Sequence, residues 1–445
     1  MTIIRAEPRT RLPQSELVNE RLHELVPGGS HTYAKGDDQY PDGLAPIISH
    51  GRGAHVFDVD GNEYIEYGSG LRSVSLGHVH PRVTEAVSRQ LQRGNNFVRP
   101  SLIEAEAAER FLRTVPTAEM VKFAKNGSDV TTAAVRLARA VTGRPLVAVC
   151  QDHPFFSVDD WFIGTTSMSA GIPEQTRSMT VAFPYGDLEA TEDLLRRGEG
   201  RIACLMLEPA TNSEPPVDYL ASLRDLTHRY ECLLVFDEMI TGFRWSEAGA
   251  QGLYGVKPDL STFGKALGNG FAVSALAGCR ELMQRGGLRD SGERVFLLST
   301  THGAETHSLA AAMAVQEVYV EEEITARLHV LGERLAAGVR DAAASAGIGS
   351  NLVIRGRASN LVFATFDSYG KPSQEYRTLF MRELVAGGIL APSFVVSSAL
   401  THEDIDRTID VVAQACAVYR DALDVDDPTA WMGGRPVRPA IRRYR

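Results

Sequence analysis

The sequence predicts an α/β protein in which a mostly parallel sheet is flanked by helices and a smaller α/β unit follows. Three observations predict it. Runs of strand length at 146–150, 202–209 and 233–236 alternate with helical patterns such as 219–230, and repeated strand–helix units imply parallel strands covered on both faces. Two of these runs end directly in an acid, Glu208 and Asp237, as strands do at the ligand-facing edge of such a sheet. Beyond residue 306 the texture changes: strands are expected at 352–366 and 389–396, and helices at 374–386 and 402–422.

Taken in order, residues 16–26 read as a short helix stopped by Pro27-Gly28-Gly29. The next stretch, SHTYAKGDDQYPDGLAPI, is polar and turn-rich and holds an isolated cation, Lys35; long loops of this kind are often functional. Residues 54–67 alternate around Asp60-Gly61-Asn62, the pattern of a hairpin. A glycine-rich loop, GSGLRSVSLGHVHP, leads into a helix at 81–93. MVKFA, 120–124, is a strand, and Lys125-Asn126-Gly127-Ser128-Asp129 then opens a helix. Strand, glycine turn and helix start present unpaired backbone N–H groups to an anion, unless Ser128 or Asp129 serves only as a cap. The strand at 146–150 runs into an aromatic loop, QDHPFFSVDDWF. The last segment, GGRPVRPAIRRYR, is expected to lie extended on the surface.

Composition bounds the function classes. With 445 residues the chain is expected to hold two or three packed units, at about 150 residues each. Hydrophobic content of 44% and charged content of 23% are those of a soluble globular protein. A net charge of -10 argues against nucleic acid as a partner and suits either a cationic substrate or plain solubility. Cys150, Cys204, Cys232, Cys279 and Cys416 form no CxxC pair and no zinc spacing, so buried free thiols in a reducing cytosol are expected. The start, MTIIRAEPRTRLPQS, lacks the apolar core of a signal peptide. No apolar run approaches the roughly 20 residues that span a bilayer, and a cytoplasmic location is expected.

The chemistry concentrates between residues 233 and 270, LLVFDEMITGFRWSEAGAQGLYGVKPDLSTFGKALGNG. Asp237 ends an apolar run, and Lys265 follows 28 residues later in a glycine-lined loop. If 260–263 is a strand, one sheet edge collects the Asn126–Ser128 turn, Glu208, Asp237 and Lys265. A nucleotide triphosphatase would need G-x-x-x-x-G-K-[ST]. Asp259 stands where the first glycine belongs and Ala266 follows Lys265, so that loop is absent. Pyridoxal phosphate (PLP) needs a lysine for a Schiff base, a helix start for its phosphate and an acid beside the ring nitrogen. All three are present. An acid there keeps the ring protonated as an electron sink, and a desolvated lysine serves as nucleophile and then as base.

These motifs resemble those of the class III aminotransferases of PLP fold type I, in the branch close to glutamate-1-semialdehyde aminomutase. The resemblance runs from the PGG at Pro27 to the HEDIDRT segment at 402–408. DEMITGFR at 237–244 is similar to the family's DEVxTGFR, PDLSTFGKALGNG to its PD-x₄-GK-xx-GxG, KNGSD to its NSGTE, and LEP at 207–209 to its EP. The resemblance implies a large PLP-binding domain at 71–315, with 1–70 joining 316–445 in a small domain. It implies Lys265 as the Schiff-base lysine, Asp237 at the ring nitrogen, Met239 against one ring face, and Asn126, Gly127 and Ser128 around the phosphate. Glu208 is then expected near the phenolic oxygen. Thr301, in STTHGAE, is expected to reach the phosphate of the neighbouring subunit, which makes the enzyme a homodimer with its sites at the subunit interface. The stacking aromatic of the family is a tyrosine in a GYHG-like loop; here DHPFFS stands there, and either Phe155 or Phe156 is the candidate.

Two departures bear on the substrate. The aminomutase carries a basic residue after its PGG loop that grips a carboxylate, and this chain has Lys35, without the bidentate fork of arginine. The aminomutase also has an APSxFEAGF stretch, where this chain reads APSFVVSSAL and lacks the glutamate. The expected reaction is therefore amino transfer from an amino donor to a carbonyl acceptor. The altered loop and missing glutamate resemble branch members that aminate oxo-sugars and aminoglycoside-type intermediates of antibiotic biosynthesis. The alternatives are a semialdehyde aminomutase or PLP-dependent epimerase, which need no external donor, and a PLP-binding regulator. The last would need a DNA-binding segment, which the first about 30 residues do not offer.

Overall fold

The computed structural model describes residues 11–153, 155–198, 200–289 and 292–440. The chain divides into two compact units, one of residues 11–70, 75–79 and 326–440, the other of 71–74 and 80–325.

The second unit holds a sheet of seven strands: β4 (Met120–Ala124), β5 (Leu146–Cys150), β6 (Thr180–Phe183), β7 (Ile202–Leu207), β8 (Leu233–Asp237), β9 (Leu260–Phe263) and β10 (Ser274–Gly278). Their order across the sheet is β4-β10-β9-β8-β7-β5-β6. Neighbours from β9 to β6 are parallel, while β10 runs antiparallel to both β9 and β4. The carboxyl ends of β4, β5, β7, β8 and β9 therefore meet at one edge. Strand alternation sorts the core into two layers. Val147, Val149 and Met206 pack with Val130, Ala134 and Leu137 of the Gly127–Thr142 helix on one face. Leu146, Ala148, Leu205 and Phe236 pack with Leu223 and Leu226 of the Tyr219–Arg229 helix on the other. Each central strand is buried on both faces, which is why these runs read as continuous apolar stretches. The Leu102–Thr114 helix, β6, the Leu188–Arg197 helix and β10 join this unit although the sequence reading did not single them out.

The first unit contains a second sheet of four strands, β1 (Ile48–Arg52), β2 (His55–Asp58), β3 (Glu63–Glu66) and β13 (Ile389–Leu390), and a hairpin of β11 (Leu352–Arg355) with β12 (Val362–Thr365). The Asp60-Gly61 turn closes the β2–β3 hairpin that the alternation predicts. Helices Pro13–Leu25, Gln374–Ala386 and His402–Asp424 cover these strands, the first opening on a proline at its first position, where the missing N–H costs nothing.

Three expectations need correction. The strand expected at 389–396 is only two residues long, because Pro392 brings no N–H to a ladder. The turn-rich segment after Pro27 holds two single-turn 3-10 helices, Tyr33–Lys35 and Asp37–Gln39. The C-terminal segment is not simply draped on the surface. Val437 is buried, its N–H bonds the Thr378 hydroxyl at 2.8 Å, and Arg435 pairs with Asp42 at 3.0 Å. Its last five residues, 441–445, lie outside the described ones. Among the described residues no helix is long and apolar enough to cross a membrane, and no cluster of side chains suits a metal ion.

Candidate active site

A cavity of about 290 Å³ opens at the carboxyl edge of the seven-stranded sheet. Nine of the predicted residues line it: Asn126, Gly127, Ser128, Phe155, Phe156, Glu208, Asp237, Met239 and Lys265. Thr301 is exposed and is not among the lining residues; its carbonyl accepts a bond from Asn96. Lys35 belongs to the other unit and is exposed there.

Asp237 is the last residue of β8 and is 3% exposed. Its Oδ1 accepts from the Met239 N–H at 3.0 Å and from the Thr262 hydroxyl at 3.3 Å. Both bonds end on Oδ1 and leave Oδ2 for a donor in the cavity. Burial pushes the Asp237 carboxyl up to about 6, against Lys265 and its two hydrogen bonds. Glu208 follows β7 and is 5% exposed. Burial, and then Asp237, push it up to about 8, while Lys265 and Arg72 oppose the rise.

Lys265 follows β9 directly, in a left-handed conformation with φ 44°. It is partly buried and lines the cavity. Burial pushes the Lys265 ammonium down, Asp237 and Glu208 hold it up, and Arg72 and Arg244 add to the fall. Met239 forms the floor between two glycines. A side chain added at Gly127 would meet its Sδ at 3.1 Å and one at Gly264 at 2.7 Å, so Met239 would have to shift to admit either.

One side of the cavity is the first turn of the Gly127–Thr142 helix, whose leading N–H groups have no intrahelical partner. The Asp129 carboxylate accepts from the Asn126 N–H at 2.9 Å and fixes the entry. This turn is tied to the aromatic loop. The Val158 N–H donates to the Ser128 hydroxyl oxygen at 3.0 Å, and the Thr131 hydroxyl donates to the Phe156 carbonyl at 2.9 Å. Phe156 is 2% exposed and packs edge-on to Phe162, whereas Phe155 is 44% exposed.

Several participants escaped the sequence reading. Ser73, Lys125 and Phe271 also line the cavity. Lys125 pairs with Glu305 at 2.8 Å, and Glu305 accepts from His302 in turn. Arg244, the last residue of DEMITGFR, is fully buried and donates to the Arg72 carbonyl at 2.9 Å. The Ser69–Arg72 turn has four successive positive φ angles, 44°, 57°, 58° and 72°. A left-handed turn costs roughly 1–2 kcal/mol per non-glycine residue and is stored strain of the kind found at functional sites. Arg72 stands in the sequence only as an isolated cation in the glycine-rich loop GSGLRSVSLGHVHP.

The residues fit PLP. A lysine, an acid with one oxygen left for a ring nitrogen, and a helix start for the phosphate surround a volume closed by Met239 and the Phe155–Phe156 loop. Comparison with known proteins agrees. The family model described as aminotransferase class-III matches residues 37–389. The chain belongs to the class III aminotransferases. A glutamate-1-semialdehyde 2,1-aminomutase of Thermomicrobium roseum is 33% identical over 426 residues, 89% of this chain and 96% of that protein. An omega-transaminase of Sphaerobacter thermophilus superposes with a TM-score of 0.81 at 25% identity, covering 91% of this chain and 98% of its own. A transaminase solved with PLP bound shares the fold at a TM-score of 0.83 and 24% identity, over 94% of this chain and 100% of its own. This class III aminotransferase is a PLP-dependent enzyme of fold type I.

Proposed function

We propose that this aminotransferase moves an amino group from an amino donor to a carbonyl acceptor, with Lys265 and Asp237 as its catalytic residues. The observation that carries the reading is the cavity itself, where Lys265, Asp237 and Glu208 stand beside a helix start. Bound there, PLP supplies an electron sink for the pair left on the donor carbon when its proton departs. Lys265 would hold PLP, and its Nζ would carry that proton. Its depressed proton affinity favours the neutral amine that this task needs. Oδ2 of Asp237 holds a proton on the ring nitrogen. Gly127 and Ser128 bind the phosphate through backbone N–H groups and the Ser128 hydroxyl hydrogen. Met239 closes one ring face and Phe155 or Phe156 the other. Glu208, its carboxyl pushed up to about 8 by burial, would face the phenolic oxygen. Thr301 serves the phosphate of a second copy, so the active form is a homodimer.

The acceptor is an oxo-sugar or aminoglycoside-type carbonyl, with Lys35 among the substrate-binding residues. The altered DHPFFS loop, the absence of a glutamate in APSFVVSSAL and the net charge of -10 support this reading. It is tested by offering oxo-sugar and 6′-oxo-aminoglycoside acceptors with glutamate or glutamine; failure to aminate any of them sinks it. A second reading, a semialdehyde aminomutase, is favoured by relatives of that name at 31–37% identity. Turnover without any stoichiometric amino donor would select it.

A further inference from the structure

Outside the residues already given roles, one buried histidine stands directly behind the site. His153 lies in the altered loop after β5, is 4% exposed, and its Nδ1 accepts the N–H of Glu208 at 3.0 Å. An imidazole that accepts at Nδ1 carries its proton on Nε2, and Nε2 is itself buried without a hydrogen-bond partner among the described residues. The ring is held by aromatic neighbours, Tyr185 at 5.2 Å and Phe156 at 6.0 Å between centroids. Phe156 lines the cavity, so His153 touches both a wall of the site and the backbone of its acid.

We propose that His153 is a positioning residue for this site: its neutral ring takes up the Glu208 N–H and so fixes where the Glu208 carboxyl stands in the cavity. The proposal rests on the role given to Glu208 above. The N–H in question belongs to the first residue beyond β7, where the ladder no longer provides an acceptor. A buried N–H left without an acceptor is costly, so the strand end would shift to find another, and the carboxyl with it. The charges around the pair are few. Asp152 and Cys150 lie near His153, with the Tyr185 hydroxyl beyond; Asp237, Lys265, Arg72 and Cys150 surround Glu208. Burial pushes the imidazole down to about 4, against Asp152, so the acceptor lone pair persists through the working range.

The test compares three variants of the loaded enzyme. In His153→Asn the amide oxygen occupies the place of Nδ1, in His153→Gln the place of Nε2, and His153→Leu offers no acceptor. Expected is a limb of the pH profile of kcat/KM, and of cofactor absorbance, that belongs to Glu208. That limb stays put in His153→Asn and moves by about one unit or more in His153→Gln and His153→Leu, with kcat lowered about tenfold. If His153→Leu does not fold, the Asn and Gln variants carry the comparison. Equal behaviour of Asn and Gln, or a drop in melting temperature with the limb unmoved, overturns the proposal. Glu208→Gln separates the two claims. A limb that survives Glu208→Gln removes the role of Glu208 and this proposal together, whereas a limb abolished there but unmoved in all His153 variants removes this proposal alone. Nitrogen-15 spectra of labelled histidine give a readout without turnover: an Nε2–H tautomer from pH 5 to 9 is expected, and an Nδ1–H tautomer overturns it.

Discussion

At Lys265 burial lowers the proton affinity of the amine while Asp237 and Glu208 raise it, and the net fall suits the base proposed above. Removing the amine leaves Asp237 and Glu208 as buried acids but takes away the nucleophile. Lys265→Ala is therefore expected to fold, to lose the absorbance of covalently held PLP, and to lose activity by about a thousandfold or more; circular dichroism and a cofactor spectrum check both halves. Asp237→Asn keeps the bonds from Met239 and Thr262 to Oδ1 while removing the negative charge. Its kcat is expected to fall by roughly a hundredfold or more with little change in melting temperature, which steady-state kinetics and a thermal melt decide.

At the scale of elements, the two acids that end β8 have different jobs. Glu238 is fully buried and its carboxylate accepts from the N–H groups of Ala250 and Gln251, both at 2.8 Å, and from the Thr241 hydroxyl. It thus ties the loop after β8 to the Ala250–Tyr254 helix, and Gly249 suits its place there because its φ is 82° and a side chain would run into the Glu238 carboxylate. Glu238→Ala is expected to cost about 2–4 kcal/mol in urea unfolding by stranding those donors. The His402–Asp424 helix depends on a cap of similar kind. Asp404 accepts from the Thr401 N–H at 2.9 Å and from His55 at 3.0 Å. Burial pushes the Asp404 carboxyl up, but His55 and Thr401 outweigh it and hold it at about 2. A carboxyl held below its unfolded value stabilises the fold above about pH 4, and the contribution is lost as pH falls toward 2. At neutral pH it is worth on the order of 1–2 kcal/mol after allowance for solvent screening. Melting temperature followed from pH 5 to pH 2 should fall less steeply in Asp404→Asn than in the parent protein.

For the whole molecule, the decisive prediction is assembly. Thr301 lies on an exposed turn and does not line the cavity of its own chain. If it serves a second copy, the protein sediments at twice 48.5 kDa, and Thr301→Ala loosens PLP by roughly ten- to a hundredfold, the worth of one hydrogen bond to a charged group. A monomer that binds PLP with full affinity would contradict this. The whole-chain view also shows how much was legible beforehand. The strands at 120–124 and 146–150 and the helix at 374–386 match their predicted limits, because each is a short apolar run or a clear helical period bounded by turn residues. β10, β6 and the Leu188–Arg197 helix were not legible, since small residues such as those of Ser274–Gly278 carry little period of their own and become a strand only by pairing with β9 and β4.

The sequence by itself determined the cofactor chemistry. A lysine 28 residues beyond an acid, with a strand before each and a glycine turn opening a helix, is a constraint on chain order, and chain order is what a sequence records. Only the tertiary structure decided how each group is tuned. Burial pushes Asp237 to about 6 and Glu208 to about 8, Glu238 ties a loop to a helix, and His153 comes to rest against the Glu208 backbone 55 residues away. The physical reason is that proton affinity and hydrogen-bond partnership depend on which groups share a desolvated volume, and residues far apart in the chain share one only after the sheet has brought its strand ends to a common edge.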